Sequence, residues 1–253
     1  MPNGGLGYLL IESSERKTHH RQPIRVRTPT NIVLQRAIST GAMSTPALSN
    51  GTEATSSTDT PRLIIEFPPA AVADDLSLIS AITKLVNLVF IEAEAGIWNH
   101  GFVRTSDAEV ADFIRKGQLA VAYLASPSLA SEEDQGTPQK GQLVGCVYVK
   151  RASDSMCTLG MLTLDKTHQG LGLGREIFKF VEEYCLSLGC DTLGLDILVP
   201  TSYAHPLKTR MEAWYRRLGF QLVRLADFAD DYPALAPLLA GPVDYRVFEK
   251  KLK

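Results

Sequence analysis

The chain has 253 residues, a formal net charge of -2 and a pI of about 6.2, and 45% of its residues are hydrophobic. These values predict one globular domain with appendages and exclude a fibrous, collagen-like or wholly disordered chain. The slightly negative charge gives no overall attraction to nucleic acid or to an anionic membrane, so we expect neither as a partner. We also expect no membrane-spanning helix, because no uninterrupted apolar run has the roughly 18–20 residues that such a helix needs.

The first 60 residues differ in composition from the rest. They hold six Lys or Arg residues against four acidic ones, and eleven of the 22 residues over 39–60 are Ser or Thr. Such a stretch buries too little apolar surface to offset the entropy of ordering it. We therefore predict a disordered tail over 1–60 and one folded domain over 61–253. We expect a cytoplasmic protein; the alternatives are mitochondrial targeting by the basic N-terminus and a true start at Met43.

The four cysteines show no spacing that is typical of a metal site or a redox motif. They stand at Cys146, Cys157, Cys185 and Cys190. We predict free thiols in a reducing compartment and no bound metal.

Apolar periodicity and turn residues predict the element order β-α-α-β-β-β-α-β-α-β-β. Strands are predicted over 62–67, 119–125, 142–151, 156–165, 192–199, 220–225 and 243–252, and helices over 76–90, after a capping box at Ser106, over 174–188 and over 205–218. We interpret 227–239 as a loop insertion and 126–141 as a long hairpin connection. The fold class is α/β (α+β), a mixed and mostly antiparallel sheet of about six or seven strands flanked by about four helices.

A glycine-rich loop between a predicted strand and a long helix is the clearest functional motif. It reads Gln-Gly-Leu-Gly-Leu-Gly over 169–174. Glycines let backbone N–H groups converge, and the helix N-terminus adds its positive dipole end, so the loop suits an anion such as a pyrophosphate. The loop lacks the Lys-Ser/Thr of a Walker A motif, and its spacing departs from the dinucleotide-binding fingerprint.

The loop and its flanks resemble the GNAT superfamily of N-acetyltransferases. The loop is similar to the family's Q/R-x-x-G-x-G/A motif, the preceding Leu-Thr-Leu-Asp over 162–165 to its fourth strand, and Tyr-Arg-Arg-Leu-Gly-Phe over 215–220 to its Y-x-x-L-G-F signature. The order of elements over 62–253 also fits, so the resemblance covers about 190 residues, all but the tail.

The resemblance implies an acyl-CoA donor, acetyl-CoA, and no metal. It implies that backbone amides of the loop hold the pyrophosphate and that the N–H of Leu164 polarises the acyl carbonyl, as fixed donors do for developing charge. It also implies that Tyr215 donates a proton to the departing thiolate. The expected cofactor-binding residues are Leu162, Thr163, Leu164, Gln169, Gly170, Leu171, Gly172, Leu173, Gly174, Arg175 and Lys208.

Two departures from the family pattern leave the general base open. The fourth strand carries no carboxylate over 156–161, and Lys208 stands where the family usually has Asn. Lys208 could reach a CoA phosphate or an acid on the substrate. The candidate bases are Glu94, then His205 because its pKa suits proton transfer near neutrality, then Asp196; a water chain is the alternative.

The acceptor site is predicted beyond the first long helix. Glu92 and Glu94 would attract a cationic amine there, and Trp98, Arg104 and Tyr203 are candidate substrate-binding residues.

We therefore expect an N-acetyltransferase that moves an acetyl group to a primary amine of a small molecule by direct attack in a ternary complex. A protein lysine or N-terminal amine is the alternative acceptor, and a non-catalytic CoA-binding module is the alternative of another class. A homodimer is left open.

Overall fold

The computed structural model describes residues 62–126 and 139–253. The predicted tail over 1–60 and residues 127–138 of the predicted connection over 126–141 lie outside the described residues. The strands are β1 (Leu63–Glu66), β2 (Leu119–Ser126), β3 (Gln139–Arg151), β4 (Met156–Leu164), β5 (Thr192–Pro200), β6 (Gln221–Ala226) and β7 (Val243–Lys251). The helices are α1 (Leu76–Ala93), α2 (Asp107–Arg115), α3 (Leu173–Ser187), α4 (Pro206–Arg217) and the short α5 (Phe228–Asp231), with 3-10 turns at Ala70–Asp74, Lys166–His168 and Ala236–Leu238.

The seven strands form one mixed sheet in the order β1-β2-β3-β4-β5-β7-β6. Each neighbouring pair is antiparallel except β4 and β5, which run parallel. This arrangement confirms the predicted fold class. The insertion over 227–239 differs from a plain loop, because α5 and a 3-10 turn lie within it.

Helices cover both faces of the sheet. On one face, α1 and α2 bury a cluster that includes Ile82, Val110 and Val121. On the other face, α3 buries a second cluster around Phe178 and Val181, to which Tyr215 of α4 belongs. A third, smaller cluster packs the 227–239 insertion against the end of β5. The functional cleft described below lies between these packed layers.

Side-chain caps begin the two helices on the first face. The carboxylate of Asp75 accepts from the N–H groups of Ser77 and Leu78 at 3.1 Å. The Ser106 hydroxyl accepts from the N–H of Glu109 at 3.3 Å, as the capping box predicts. The Glu109 carboxylate accepts from the Thr105 hydroxyl at 2.7 Å and so makes a contact that the motif does not predict.

Within the described residues, α1 is long and apolar enough to cross a membrane by length and composition alone. This corrects the expectation that no segment reaches that length. Polar residues such as Lys84 and Asn87 interrupt the run of apolar letters, but the average over 18 residues stays apolar. In the fold, Ile79, Ile82 and Val86 are buried against the sheet, as in an amphipathic helix that covers a core.

All four cysteines are free and buried, which agrees with the prediction of unpaired thiols. Hydrogen bonds link the Cys157 thiol with Cys185 and Cys190, and the one from Cys185 is the main reason that the pKa of Cys157 is raised. Burial raises the pKa of Cys190 to about 11, so the thiols of Cys157 and Cys190 stay protonated at neutral pH.

Candidate active site

The sheet opens between its two parallel strands. β4 and β5 pair at only three positions, the last of which joins Thr158 to Gly194. Beyond this point the described strands continue to Leu164 and Pro200 without pairing to each other, while β4 stays paired with β3 and β5 with β7. A V-shaped cleft therefore lies in the middle of the sheet, with unpaired backbone along both walls.

A bulge in β4 accompanies this divergence. The pairing register with β3 shifts between Cys146 and Tyr148, and Met161 opposite this shift has a φ of 49°. The buried Thr163 hydroxyl donates to the Met161 carbonyl at 3.0 Å and holds the bulge. Since a bulge bends a strand and increases its twist, it turns β4 away from β5.

Backbone donors of β4 face the cleft. The N–H of Asp165 donates to the Val144 carbonyl at 2.7 Å, which makes this a hydrogen-bonded pair with β3. Because hydrogen bonding alternates along an antiparallel pair, Thr163 also bonds toward β3, whereas Leu162 and Leu164 turn their N–H groups toward β5. The predicted cofactor-binding residues of β4 thus divide: Leu162 and Leu164 offer donors to the cleft, and Thr163 supports them from behind.

The glycine-rich loop lies at the open end of β4. The Gln169 side chain donates to the Leu164 carbonyl at 3.0 Å, and the Gln169 N–H is directed to the Lys166 carbonyl at 3.3 Å. Gln169 therefore anchors the loop to the end of β4, and its backbone N–H is engaged within the loop. Gly170 and Gly172 have φ values of 82° and 86°, and a Cβ added to either would meet no protein atom within 4 Å. Their open faces leave room for a ligand at the backbone.

The remaining loop residues have distinct positions. Gly174 allows close packing, because a Cβ there would lie 3.2 Å from the Trp214 ring. Leu173 is fully buried, whereas Leu171 and Arg175 are exposed. α3 begins at Leu173 without a side-chain cap, so its first N–H groups are open to an anion.

A buried ion pair closes the other end of the cleft. The Lys208 ammonium lies 3.5 Å from Glu94 Oε1, and the two side chains are only 3% and 12% exposed. Glu94 Oε2 accepts from the Trp98 indole N–H at 2.6 Å, so both oxygens of Glu94 have partners. Burial lowers the pKa of Lys208, and the charge of Glu94 opposes this effect. In this structure Lys208 contacts Glu94, a contact that the sequence did not indicate.

His205 caps α4. Its Nδ1 accepts from the N–H of Lys208 at 3.4 Å, and its Nε2 is buried without a hydrogen-bond partner in the described part of the chain. Burial lowers the pKa of His205, and the nearby charge of Lys208 lowers it further. This is the position of a neutral capping histidine, with no ring nitrogen open to the cleft.

Tyr203 connects the end of α1 to the segment before α4. Its hydroxyl donates to the Ala95 carbonyl at 3.0 Å. The same hydroxyl would lie 2.8 Å from a Cβ added at Gly96, whose φ is 76°, so only glycine fits there. A small pocket of about 40 Å³ lies beside this contact, lined in part by Pro200, Tyr203 and Pro242.

Glu92 and Trp98 both have protein partners. Glu92 forms an exposed ion pair with Lys166 at 2.8 Å, which joins the end of α1 to the segment before the glycine-rich loop. The Trp98 ring stacks on Phe102 with 4.1 Å between the ring centroids, and Trp98 also bridges to Leu239 of the insertion.

Asp196 lies in the narrow end of the cleft. It stands two residues beyond the last paired residue of β5, and its side chain is exposed. Its neighbours Leu195 and Ile197 face the α3 cluster, so Asp196 faces the opposite side, where the acceptor residues lie. The protein walls around the cleft limit its solvation and raise its pKa from 3.8 to about 6, although the charge of Arg104 acts in the other direction.

Arg104 follows α1 on the same side of the cleft. Its backbone N–H donates to Asn87 Oδ1 at 2.8 Å, and its guanidinium lies over the Phe90 ring, 5.1 Å from the centroid. Within the described residues, neither Arg104 nor Asp196 has a side chain in an ion pair.

Tyr215 is buried on the α3 side of the sheet. Its ring packs at 6.0 Å from Phe178 and 6.1 Å from Phe220, centroid to centroid. Burial, and then the charge of Asp196, raises the pKa of Tyr215, so the phenol is protonated at neutral pH.

The structure thus brings the candidate bases and substrate-binding residues together at one end of the cleft. Their roles in catalysis and binding stay predictions. The electrostatic influence of Arg104 on Asp196 was not predicted. The sequence did carry one signal, because Asp196 is the sole charged residue in the apolar run of β5. A charged residue in such a run is uncommon and indicates a functional or structural role.

Comparison with known proteins agrees with this cleft. Residues 129–222 match the family model described as "Acetyltransferase (GNAT) domain", which spans β3 to the start of β6. This match confirms, over these residues, the resemblance to the GNAT superfamily seen in the sequence. No curated protein sequence matches the chain significantly.

Solved structures with similar architecture include Ard1 from Thermoplasma volcanium, with a TM-score of 0.48 and 10% identity over 76% of this chain and 98% of that one. The IAA acetyltransferase from Bacillus cereus ATCC 14579 has a TM-score of 0.45 and 13% identity over 76% and 100%. N-acetylglutamate synthase from Neisseria gonorrhoeae, solved with coenzyme A and N-acetyl-glutamate, has a TM-score of 0.48 and 16% identity over 76% of this chain but 35% of that one.

Proposed function

We propose that this protein transfers an acetyl group from acetyl-CoA to a primary amine of a small molecule by direct attack in a ternary complex. The observation that carries the proposal is the cleft between β4 and β5. It joins free backbone donors of β4, an open glycine-rich loop at one end and an exposed carboxylate at the other. An extended acyl-CoA needs such a sequence of contacts.

The loop is the proposed pyrophosphate site. The backbone around Gly170 and Gly172 and the first N–H groups of α3 would hold the phosphates, and Leu164 would bond the neutral arm of the cofactor. Arg175 stands just inside the helix and is exposed, so it can add a charge.

The register of the strands supports an assignment of the reacting groups. Because Thr158 pairs with Gly194, Asp196 lies level with Gly160 across the cleft. At about 3.3 Å per residue, Leu162 is about 7 Å further along β4 and Leu164 about 13 Å. An amine between Asp196 and the acyl carbon fits the shorter distance. We therefore assign polarisation of the acyl carbonyl to the N–H of Leu162, rather than to Leu164.

The proposed reaction uses two side chains for proton transfer. The amine nitrogen attacks the acyl carbon and Asp196 accepts the proton that the nitrogen loses. The C–N bond forms, the C–S bond breaks, and the thiolate takes a proton from the Tyr215 hydroxyl. Asp196 suits this role better than Glu94 or His205, because both oxygens of Glu94 are engaged and the His205 ring is buried.

Calorimetric titration of acetyl-CoA into the full chain tests the cofactor site with a matched pair of variants. Gly172→Glu places a side chain and a negative charge in the loop. Gly189→Glu is the control, because Gly189 lies at the other end of the same helix, has a φ of 79° and is equally open. Both variants bear the same backbone strain.

We expect the wild type and Gly189→Glu to bind acetyl-CoA and Gly172→Glu to bind at least about tenfold more weakly, since each 1.4 kcal/mol changes affinity tenfold. Equal binding by all three proteins would place the cofactor elsewhere. Thiol release with a panel of amines then separates an enzyme from a protein that only binds CoA.

A further inference from the structure

Two opposite charges lie on the acceptor side of the cleft and do not form an ion pair with each other. Asp196 and Arg104 influence one another electrostatically, but among the described residues no ion pair within 4.0 Å involves either side chain. The other charged groups nearby are engaged. Glu94 contacts Lys208, and Asp231 contacts Arg224 at 3.5 Å.

The position of Arg104 is fixed by its surroundings. The Asn87 amide oxygen accepts from the backbone N–H groups of Arg104 and Thr105, and the guanidinium carbon lies over the Phe90 ring, 5.1 Å from its centroid. Stacking holds the plane of an arginine and leaves its N–H edges free, which is the arrangement that binds a planar anion through two hydrogen bonds. The Arg104 side chain is partly exposed and none of its nitrogens is buried without a partner, so its N–H groups are accessible to a ligand.

The acetyl-CoA of the proposed function does not supply that anion. Its phosphates belong at the glycine-rich loop, at the far end of β4, and only the neutral thioester and amides lie near the narrow end of the cleft. Within the proposed function, the acceptor is therefore the molecule that can bring an anion to Arg104.

We propose that the acceptor is a zwitterion: a small primary amine that also carries an anionic group, a carboxylate or a phosphate. Its amine lies at Asp196 and its anion at the guanidinium of Arg104. This inference rests on the proposed function, and it narrows the acceptor from amines in general to amines that bear an anion.

The test compares matched acceptors with the full chain and acetyl-CoA, and it follows thiol release. The pairs are 4-aminobutyrate with n-butylamine, L-methionine with its carboxamide, and O-phosphoethanolamine with ethanolamine. We expect the wild type to prefer the anionic member of at least one pair by about tenfold or more in kcat/KM, the size of a charge-assisted hydrogen bond. The first two pairs report on a carboxylate and the third on a phosphate.

Variants of Arg104 then assign the preference to one side chain. Arg104→Gln should lower the ratio of kcat/KM for the anionic member to kcat/KM for the neutral member about 10- to 100-fold, since a charged hydrogen bond is lost only with the former. Arg104→Lys should restore part of the loss. Arg115→Gln is the control. Arg115 lies on α2, away from the cleft, and forms an exposed ion pair with Asp74.

Three results would overturn the inference. One is a wild type that favours neutral amines or treats both members alike. Another is an Arg104→Gln variant in which kcat/KM falls equally for both members of a pair, because an equal loss indicates a structural role of Arg104. The third is acetyl-CoA binding that depends on Gly172 but no acetylation of any anionic amine; the cofactor site would then stand and the acceptor class would be wrong. If acetyl-CoA fails to bind at all, the proposed function and this inference both fall.

Discussion

The two ends of the cleft are built in different ways. The donor end comes from one continuous stretch, 162–174, and offers backbone N–H groups held by Gln169 and by glycines. The acceptor end comes from separate segments: the end of α1, the segment before α2, β5 and α4. It offers side chains, and most of them contact each other.

This difference determines how the two ends of the cleft respond to amino-acid substitutions. A site made of backbone tolerates most substitutions, except those that add a Cβ in its open face. A site made of paired side chains changes its chemistry with single substitutions. The same cofactor end can therefore serve many acceptors, and the acceptor end sets the choice among them.

We expect the largest effect on catalysis from a substitution at the acceptor end. Asp196→Asn should lower kcat by about 10²- to 10³-fold, the usual contribution of a general base, and leave acetyl-CoA affinity unchanged. Since the protein walls raise the pKa of Asp196 to about 6, the wild-type kcat/KM should fall as the pH drops through that value. The variant should lack this acidic limb. An unchanged pH profile would remove Asp196 from the reaction.

The same substitution should act in the opposite direction on stability. A raised pKa means that the protonated form is favoured in the folded state, so this stabilisation is complete below about pH 4 and lost as the pH rises through about 6. Thermal unfolding should therefore show a larger gain for Asp196→Asn over the wild type near about pH 8 than near about pH 4.

The buried pair should give the next largest effect. Glu94→Gln keeps an acceptor for the Trp98 indole but leaves the Lys208 ammonium uncompensated, which should cost about 3 kcal/mol of the free energy of unfolding in urea denaturation. The double variant Glu94→Gln with Lys208→Met should regain most of that loss. Additive losses would show that the two side chains are not coupled, contrary to their 3.5 Å contact.

The smallest effect should come from Glu92. Its partner Lys166 is 73% exposed, so Glu92→Ala should change stability by less than about 1 kcal/mol. We expect the KM for the amine to change by less than about twofold, because Glu92 lies outside the cleft contacts. A larger rise in KM would extend the acceptor end to this residue and restore the role that the sequence suggested for it.

The sequence predicted the donor end because its signals are local. Strand, glycines and helix follow one another over 162–174, and the structure begins α3 at Leu173, one residue before the predicted start. The elements of the fold are likewise within a few residues of their predicted bounds, since periodicity and turn residues act locally.

The acceptor end could not be predicted in the same way. The contact between Glu94 and Lys208 joins residues 114 positions apart, and no pattern in either helix indicates it. Lys208 lies on a helix whose apolar spacing does not include it, yet it is 3% exposed. Tertiary contacts alone decide that a charge at this position is buried.

The thiols of Cys157, Cys185 and Cys190 lie beside the point at which β4 and β5 separate, so they can serve as a natural probe of this region. Cys157 stands in the short paired segment of β4, directly below the point at which β4 and β5 separate, and it contacts Cys185 and Cys190. A thiol reagent can reach them only when this segment opens. The rate at which these thiols are modified therefore reports on local opening of the paired segment of β4 and β5. A ligand that bridges the two strands should slow that rate.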